Sequence, residues 1–335
     1  MSRSSPMTVR SRWSRKPAQV FVLLASLVAS LVLVSTLVFP SVAAAPKSTV
    51  QFVSPDWVAA HVKDPSLRVL DVRTAPLEYI SDHLPNAVNI ADTAFRGPNG
   101  VLPVQYWDTN KLGSIFSKAG VSNDNRVLVY SNGNDVLGAT MVAYLLERSG
   151  VKNIYVLDGG FAGYKAAGQA TTKVFPRYTP GTFVVKDNPA IRVSLQEVEQ
   201  LIGKPGVVFI DPRPPELFRG EKDIWIRNGH IPGARNIPWP TFTEANNPQE
   251  NLKNPHKLKS LDAIRQLLAE RGIKPTDDII VTCSTGREAT LQYTVLKHLL
   301  NYPKVRIYEG SWTEYSTTTL PVATGPEKVL TSDGR

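Results

Sequence analysis

The stretch that decides the fold is Val281-Thr282-Cys283-Ser284-Thr285-Gly286-Arg287-Glu288-Ala289-Thr290, which contains the only cysteine in the 335 residues. The apolar run 279–281 leading into it predicts a short buried strand, and Leu291, Val295 and Leu299 after it predict one face of a helix. Backbone N–H groups and the positive end of a helix meet at such a turn, which favours an anion. We therefore expect the pKa of the Cys283 thiol to be lowered, so that it serves as a nucleophilic thiolate and not as a packing thiol.

An internal repeat of about 120–140 residues organises the chain after Pro46 and indicates a duplicated domain, since solenoid repeats are shorter. Four blocks occur in the same order in both copies: Val69–Arg73 matches Phe209–Arg213, His83–Ile90 matches His230–Ile237, Val127–Ser131 matches Ile279–Cys283, and Leu157–Phe161 matches Tyr308–Trp312.

The register of the repeat places Ser131 where the second copy has Cys283. Gly120 and Gly272 each end a helical stretch and lie the same number of positions before Ser131 and Cys283. A serine nucleophile requires a general base, and the sequence near Ser131 supplies none. We therefore predict a structural first copy and an active second copy.

The alternation of strand and helix patterns predicts an α/β fold in which each copy is a largely parallel sheet flanked by helices. Loops at the carboxyl ends of the strands then form the site. We predict an inactive domain over 46–168, a linker rich in Pro, Thr and Gly over 169–190, a catalytic domain over 191–325 and a tail over 326–335.

Residues 1–45 have the layout of a targeting segment, with a basic start, an apolar run from Val20 to Phe39 and small residues after it. The run is long enough for an uncleaved anchor as well as a signal peptide, so membrane contact is expected only through residues 17–40 if they are retained. Either way the domains are expected outside the cytoplasm, in the periplasm or secreted. The basic start supplies five of the nine net positive charges, so nucleic-acid binding is not expected. Five scattered histidines and one cysteine predict no metal site, and no cofactor is expected.

With these blocks placed, the chain resembles the tandem rhodaneses, the family of thiosulfate and 3-mercaptopyruvate sulfurtransferases, over about residues 50–322. The Asp-x-Arg, His-x-Pro-x-Ala, cysteine-loop and Glu-Gly-Ser-Trp blocks carry the resemblance. It implies two rhodanese-like domains of which only the second is active. It also implies transfer of a sulfane sulfur from a small anionic donor, through a persulfide on Cys283, to cyanide or a thiol, and we expect a monomer.

Arginines supply the expected contacts to an anionic donor, because a planar guanidinium binds anions through paired hydrogen bonds. Arg287 lies four residues after the cysteine, and Phe218-Arg219-Gly220 is similar to a stretch that faces the pocket in mercaptopyruvate-type members. The loop matches neither subclass, so the donor stays open between thiosulfate and 3-mercaptopyruvate. His83 and His230 are interpreted as histidines bonded to nearby backbone. The predicted substrate-binding set is Arg287, Ser284, Thr285, Gly286, Arg213 and Arg219, around the catalytic Cys283.

Two other functions are compatible with parts of the pattern. The hydroxyl pair Ser284-Thr285 suits a non-catalytic module that carries persulfide for a partner protein or binds that partner. A Cdc25-like phosphatase shares the fold, but it requires an arginine six residues after the cysteine. That position is Ala289 in this chain, which disfavours phosphate chemistry.

Overall fold

The computed structural model describes residues 48–133, 135–244 and 257–327. The predicted leader over 1–45 lies outside these ranges. Within them, no helix has both the length and the apolar character needed to cross a membrane.

The first copy begins at β1 and ends with α5. The Ser54 side chain caps α1, and Pro55 occupies its first turn. Its elements are β1 Val50–Val53, α1 Pro55–His61, β2 Leu67–Asp71, α2 Pro76–Ser81, β3 Ala87–Asn89, a 3₁₀ turn Asp92–Phe95, β4 Arg96–Asn99, β5 Leu102–Tyr106, α3 Thr109–Lys118, β6 Arg126–Tyr130, α4 Leu137–Arg148, β7 Asn153–Leu157 and α5 Gly160–Ala166.

The second copy repeats this order. A capping box opens α6, in which the Ser194 side chain and the Glu197 side chain each accept the other residue's backbone N–H. Its elements are 3₁₀ turn Pro189–Ile191, β8 Arg192–Val193, α6 Leu195–Leu201, β9 Val207–Asp211, α7 Pro215–Phe218, β10 Arg235–Asn236, 3₁₀ turn Trp239–Phe242, α8 Leu261–Glu270, β11 Asp278–Val281, α9 Ala289–Thr294, a π-helical turn Val295–Leu299, β12 Val305–Tyr308 and α10 Ser311–Tyr315.

Two five-stranded sheets form the centres of the two copies, and both are parallel throughout. The first has the order β1-β7-β6-β2-β3 and the second β8-β12-β11-β9-β10, which is the same topology strand for strand. The predicted fold class and duplication are therefore confirmed. Strands β4 and β5 form a separate antiparallel hairpin in the first copy.

The two copies share one hydrophobic core, because α4 of the first packs against α9 of the second. Tyr144 and Tyr293 meet edge to face with their ring centroids 5.2 Å apart. Matched threonines of the repeat, Thr140 and Thr290, lie 2.9 Å apart through their buried hydroxyls. Equivalent residues of the two copies therefore meet at the interface. This contact holds the first copy beside the cysteine loop.

The connecting segment 173–188 has no helix or strand of its own, yet it is bonded to the first copy along its length. Gly181 N–H donates to the Ser117 carbonyl, and Lys186 N–H donates to the Ser149 carbonyl. Phe183 is buried against Phe116, with ring centroids 5.2 Å apart. The linker is therefore packed against the first domain.

Candidate active site

Cys283 lies at the predicted position, directly after β11 and before α9, at the carboxyl edge of the second sheet. Its side chain is only 1% exposed. The backbone N–H of Gly286 donates to Sγ at 3.1 Å, so the loop curls its amide toward the sulfur. This is the arrangement that stabilises negative charge on a sulfur atom.

Gly286 is required by the shape of this loop. Its φ of +86° lies in the left-handed region that favours glycine. A Cβ at this position would lie 3.0 Å from the Tyr106 hydroxyl and 3.2 Å from the Glu309 carbonyl oxygen. Tyr106, from the hairpin of the first copy, donates its hydroxyl proton to the Gly286 carbonyl at 2.9 Å. The cysteine loop is therefore shaped partly by the first domain.

Helix α10 holds the loop from the other side. Trp312 N–H donates to the Cys283 carbonyl at 2.9 Å, and Thr313 donates to the Ser284 carbonyl through its N–H at 3.1 Å and its hydroxyl at 2.8 Å. The hydroxyl of Ser311 lies 3.9 Å from Sγ, accepts the Cys283 N–H at 3.4 Å and donates to the Tyr308 carbonyl at 2.9 Å.

Ser311 adopts φ +53°, a conformation unusual for a residue with a side chain. The matched residue of the first copy is Gly160, at φ +57°. Strained backbone of this kind concentrates at functional sites. The replacement of glycine by serine in the active copy is the sequence signal that marks this hydroxyl as part of the site, and sequence reasoning missed it.

The structure contradicts the expectation of an acidic thiol. Complete burial, reinforced by the neighbouring Glu288 carboxylate, raises the pKa of the Cys283 thiol well above its usual range. The backbone N–H groups of Thr285 and Ala289 act in the opposite direction but are outweighed. Burial and the Glu288 charge therefore act against the thiolate, in opposition to the loop amides.

Ser131 is the structural counterpart of Cys283, as the repeat predicts. Its carbonyl accepts the Phe161 N–H at 2.9 Å, the same bond that joins Cys283 to Trp312. Its hydroxyl donates to the Asp135 carbonyl, and its side chain is buried. No base contacts this hydroxyl among the described residues, which supports a silent first copy.

Arg287 binds the first domain. Its Nε donates to Asp92 at 2.8 Å, its Nη2 lies 2.7 Å from the same carboxylate, and Nη2 also pairs with Asp135. Two carboxylates thus neutralise the guanidinium, and its role as a contact for an anionic donor stays a prediction. Position 287 instead ties the cysteine loop to the domain interface.

Arg213 is fully buried and its described contacts are to the scaffold, so the structure gives no support to its predicted contact with the donor. It donates to both oxygens of Asp211 and, at 2.8 Å, to the Gly229 carbonyl, while its guanidinium lies 4.9 Å from the centre of the Trp312 ring. Asp71 and Arg73 make the same contacts in the first copy, so the Asp-x-Arg block is a feature of the fold.

Arg219 is partly exposed and pairs with Glu221, with N–O distances of 2.6 and 2.9 Å. No described hydrogen bond or ion pair joins it to the cysteine loop.

Arg96 is the cation that the first domain places at the loop. It opens β4 and donates from Nη1 to the hydroxyl of Thr285 at 3.0 Å. Among the described residues no carboxylate forms an ion pair with it, in contrast to Arg287, Arg213 and Arg219. Sequence reasoning missed Arg96, because 189 positions separate it from Thr285.

Both histidine turns make structural contacts to backbone carbonyls, as the sequence suggests. His83 contacts the carbonyls of Tyr79 at 2.8 Å and Val174 at 3.2 Å, and His230 contacts that of Phe218 at 2.7 Å. Both imidazoles are buried, and the described contacts of His83 do not extend to the cysteine loop.

The chain belongs to the rhodanese family. The family model for the Rhodanese-like domain matches it twice, over residues 54–167 and 194–318, which are the two copies described above.

Several named proteins are similar to this chain. The chain is 63% identical over 324 residues to a Synechococcus elongatus protein named "Putative thiosulfate sulfurtransferase", covering 96% of this chain and all of that protein. It is 33% identical to the "Sulfur carrier protein TtuD" of Thermus thermophilus, covering 82% of this chain and 97% of that protein. The crystal structure of SseA from Escherichia coli, a 3-mercaptopyruvate sulfotransferase by its description, matches with a TM-score of 0.69 and 28% identity over 79% of this chain and 99% of that one.

Proposed function

We propose that this protein is a sulfurtransferase that moves a sulfane sulfur from a small anionic donor, through a persulfide on Cys283, to cyanide or a thiol. The observation that carries the proposal is the Cys283 loop. It lies in the active copy of a rhodanese pair and directs the Gly286 N–H at Sγ. The relatives named as sulfurtransferases support the same activity.

The chemistry proceeds in two steps. Sγ attacks the outer sulfur of the donor, and the bond between that sulfur and the rest of the donor breaks, which leaves a persulfide on Cys283. The Gly286 N–H stabilises the negative charge of the persulfide by a fixed hydrogen bond. An acceptor nucleophile then takes the outer sulfur and restores the cysteine.

The donor's charged group is proposed to lie beside Arg96 and Thr285. Thr285 follows Cys283 by two residues, and the Arg96 guanidinium already donates to its hydroxyl. A guanidinium without a carboxylate partner attracts an anion more strongly than the neutralised Arg287. The first domain therefore contributes to donor binding although it lacks the nucleophile.

The test is a donor panel of thiosulfate and 3-mercaptopyruvate, with intact-mass measurement of the protein and assay of thiocyanate or pyruvate. We expect one added sulfur on the wild-type chain and product from at least one donor. Cys283→Ser is expected to lose both, and a serine variant that keeps its activity would refute the proposal. The same mass spectrum shows whether the predicted leader over 1–45 has been removed.

A second candidate is a persulfide carrier that serves a partner protein, and the Thermus relative named as a sulfur carrier favours it. This function predicts that Cys283 accumulates persulfide from a donor while small acceptors are turned over slowly. Multiple turnovers with cyanide or a small thiol would reject the carrier role in favour of catalysis.

A further inference from the structure

Gly286 links the first domain to the sulfur atom of Cys283. Its N–H donates to Sγ at 3.1 Å, and its carbonyl accepts the Tyr106 hydroxyl at 2.9 Å. Its φ of +86° lies in a region that glycine enters freely, so the sequence of the loop alone does not restrict its backbone to one conformation. A hydrogen bond to the carbonyl of such a residue therefore helps to determine where its N–H points.

Tyr106 is held in place by contacts to both copies. It ends β5, is 8% exposed and lies opposite Arg96 in the register of the hairpin. Its ring centroid lies 6.1 Å from that of Tyr144, whose hydroxyl donates to the Glu309 carboxylate of the second copy at 2.6 Å. Burial, followed by the charge on Cys283, raises the pKa of the Tyr106 phenol well above its usual range. The hydroxyl therefore keeps its proton and remains a donor at neutral pH.

The equivalent loop of the first copy is closed by its own side chains. Ser131 donates its hydroxyl to the Asp135 carbonyl, and the Gly133 N–H donates to the Asn132 side chain at 2.8 Å. Cys283 has no hydroxyl to donate, and a carbonyl of its loop accepts from Tyr106 instead. The cysteine loop thus receives from the other copy a hydrogen bond that the Ser131 loop makes by itself.

We propose that Tyr106 is a positioning residue for sulfur transfer, because its hydroxyl holds Gly286 so that the N–H points at Sγ. This role rests on the proposed function. With thiosulfate, the Sγ thiolate bonds to the outer sulfur while the S–S bond of the donor breaks, and sulfite leaves with the electron pair of that bond. One negative charge passes from Sγ to the outer sulfur of the persulfide, so the total charge is unchanged.

The two side chains of the hairpin then have separate roles. Burial and the Glu288 charge act against the thiolate, and an N–H directed at Sγ acts in its favour. Tyr106 therefore controls how reactive the sulfur is, whereas Arg96 is the proposed contact for the donor. Loss of the phenol hydroxyl is expected to lower the rate at saturating donor, and loss of the guanidinium to raise the KM.

The experiment compares wild type with Y106F, which removes the hydroxyl and keeps the ring. Persulfide formation from saturating thiosulfate is followed in a single turnover by rapid quench and intact mass. The thiolate of Cys283, the only cysteine, is titrated by its ultraviolet absorbance with C283S as the blank. Y106F is expected to raise the titration midpoint by about one pH unit and to slow persulfide formation about tenfold below that midpoint, the scale of one hydrogen bond. Its KM for thiosulfate is expected to stay within about twofold of wild type.

The matched control is Y293F, the same change at the same domain interface. The Tyr293 hydroxyl donates to Glu147 at 3.0 Å and makes no described contact with the cysteine loop. Y293F is expected to lose a buried hydrogen bond but to keep the wild-type rate and midpoint. Y106F itself leaves in place the charged groups near Cys283 and the phenol, which are Glu288, Glu309, Arg96 and Arg148.

An unchanged rate and midpoint in Y106F would overturn the role. The same losses in Y293F would also overturn it, since they would show a general loosening of the interface, and a raised KM with an unchanged limiting rate would assign Tyr106 to donor binding. If Y106F is poorly folded by circular dichroism, all variants are compared in trimethylamine N-oxide, which favours the folded state. Absence of persulfide on wild type would overturn the proposed sulfur transfer, while the absorbance titration would still decide whether Tyr106 acts on the sulfur.

Discussion

The ion pairs of Arg287 predict that replacing this residue uncouples the cysteine loop from the first domain. Asp92 is 2% exposed, so Arg287→Met leaves its charge buried without a partner, which typically costs about 3–5 kcal/mol. The Asp135 carboxylate is 39% exposed, and its share is about 0–1 kcal/mol. We expect the free energy of unfolding to fall by about 3 kcal/mol.

Urea unfolding of a double-mutant cycle measures this loss. The variants are Arg287→Met, Asp92→Asn and the two together, with Asp135→Asn as the exposed control. Neutralising Asp92 in the Arg287→Met background is expected to recover most of the stability and also the sulfur-transfer rate, because the stranded charge is removed. A loss below about 1 kcal/mol in Arg287→Met, or a double variant no more stable than the single one, would refute the reasoning. Recovered stability without recovered donor affinity would return Arg287 to the donor site.

Three further perturbations follow from the described contacts. Arg96→Met is expected to raise the KM for thiosulfate about tenfold or more, the scale of one hydrogen bond to a charged group, while Arg219→Met leaves it unchanged; steady-state kinetics decide. Ser311→Gly is expected to be more stable than Ser311→Ala by about 1 kcal/mol, the reverse of the usual helix preference, because φ is +53°; equal melting temperatures would contradict this. Burial raises the pKa of Asp158 to about 6, so the folded state binds a proton that the unfolded state releases, and stability is lost as the pH rises from about 4 to about 6. Asp158→Asn is expected to remove roughly 2–3 kcal/mol of this pH dependence in urea titrations, and an unchanged slope would disprove it.

The duplication and its register were accessible from sequence because they are written in local patterns. The same features recur in order in both copies: strand and helix periods, the glycines that end helices and the Asp-x-Arg block. Ser131 can therefore be matched to Cys283 from the sequence alone. In the structure, Phe161 N–H donates to the Ser131 carbonyl and Trp312 N–H donates to the Cys283 carbonyl, which shows the same equivalence. Such local patterns show which residues of the two copies are equivalent. The handedness and connection rules of parallel βαβ units then leave few possible topologies for each copy.

Contacts between the copies were not accessible in the same way. Nothing near Arg287 in the sequence indicates that Asp92 and Asp135 neutralise it, and nothing near Thr285 indicates Arg96. The sign of the shift in the Cys283 pKa also depended on burial and on the charge of Glu288, since turn geometry alone favours the thiolate. The sequence therefore predicted the position of the cysteine loop but not the charged groups around it.

The hairpin β4–β5 extends from the first copy to the cysteine loop of the second. It brings Arg96 and Tyr106 to the loop of the other copy, so the first domain supplies contacts to the cysteine loop that the second domain alone does not make. Arg96 and Tyr106 therefore form one wall of the cysteine site. A chain cut down to the second domain would lose that wall, and changes of donor preference can be sought in the hairpin without touching the catalytic loop.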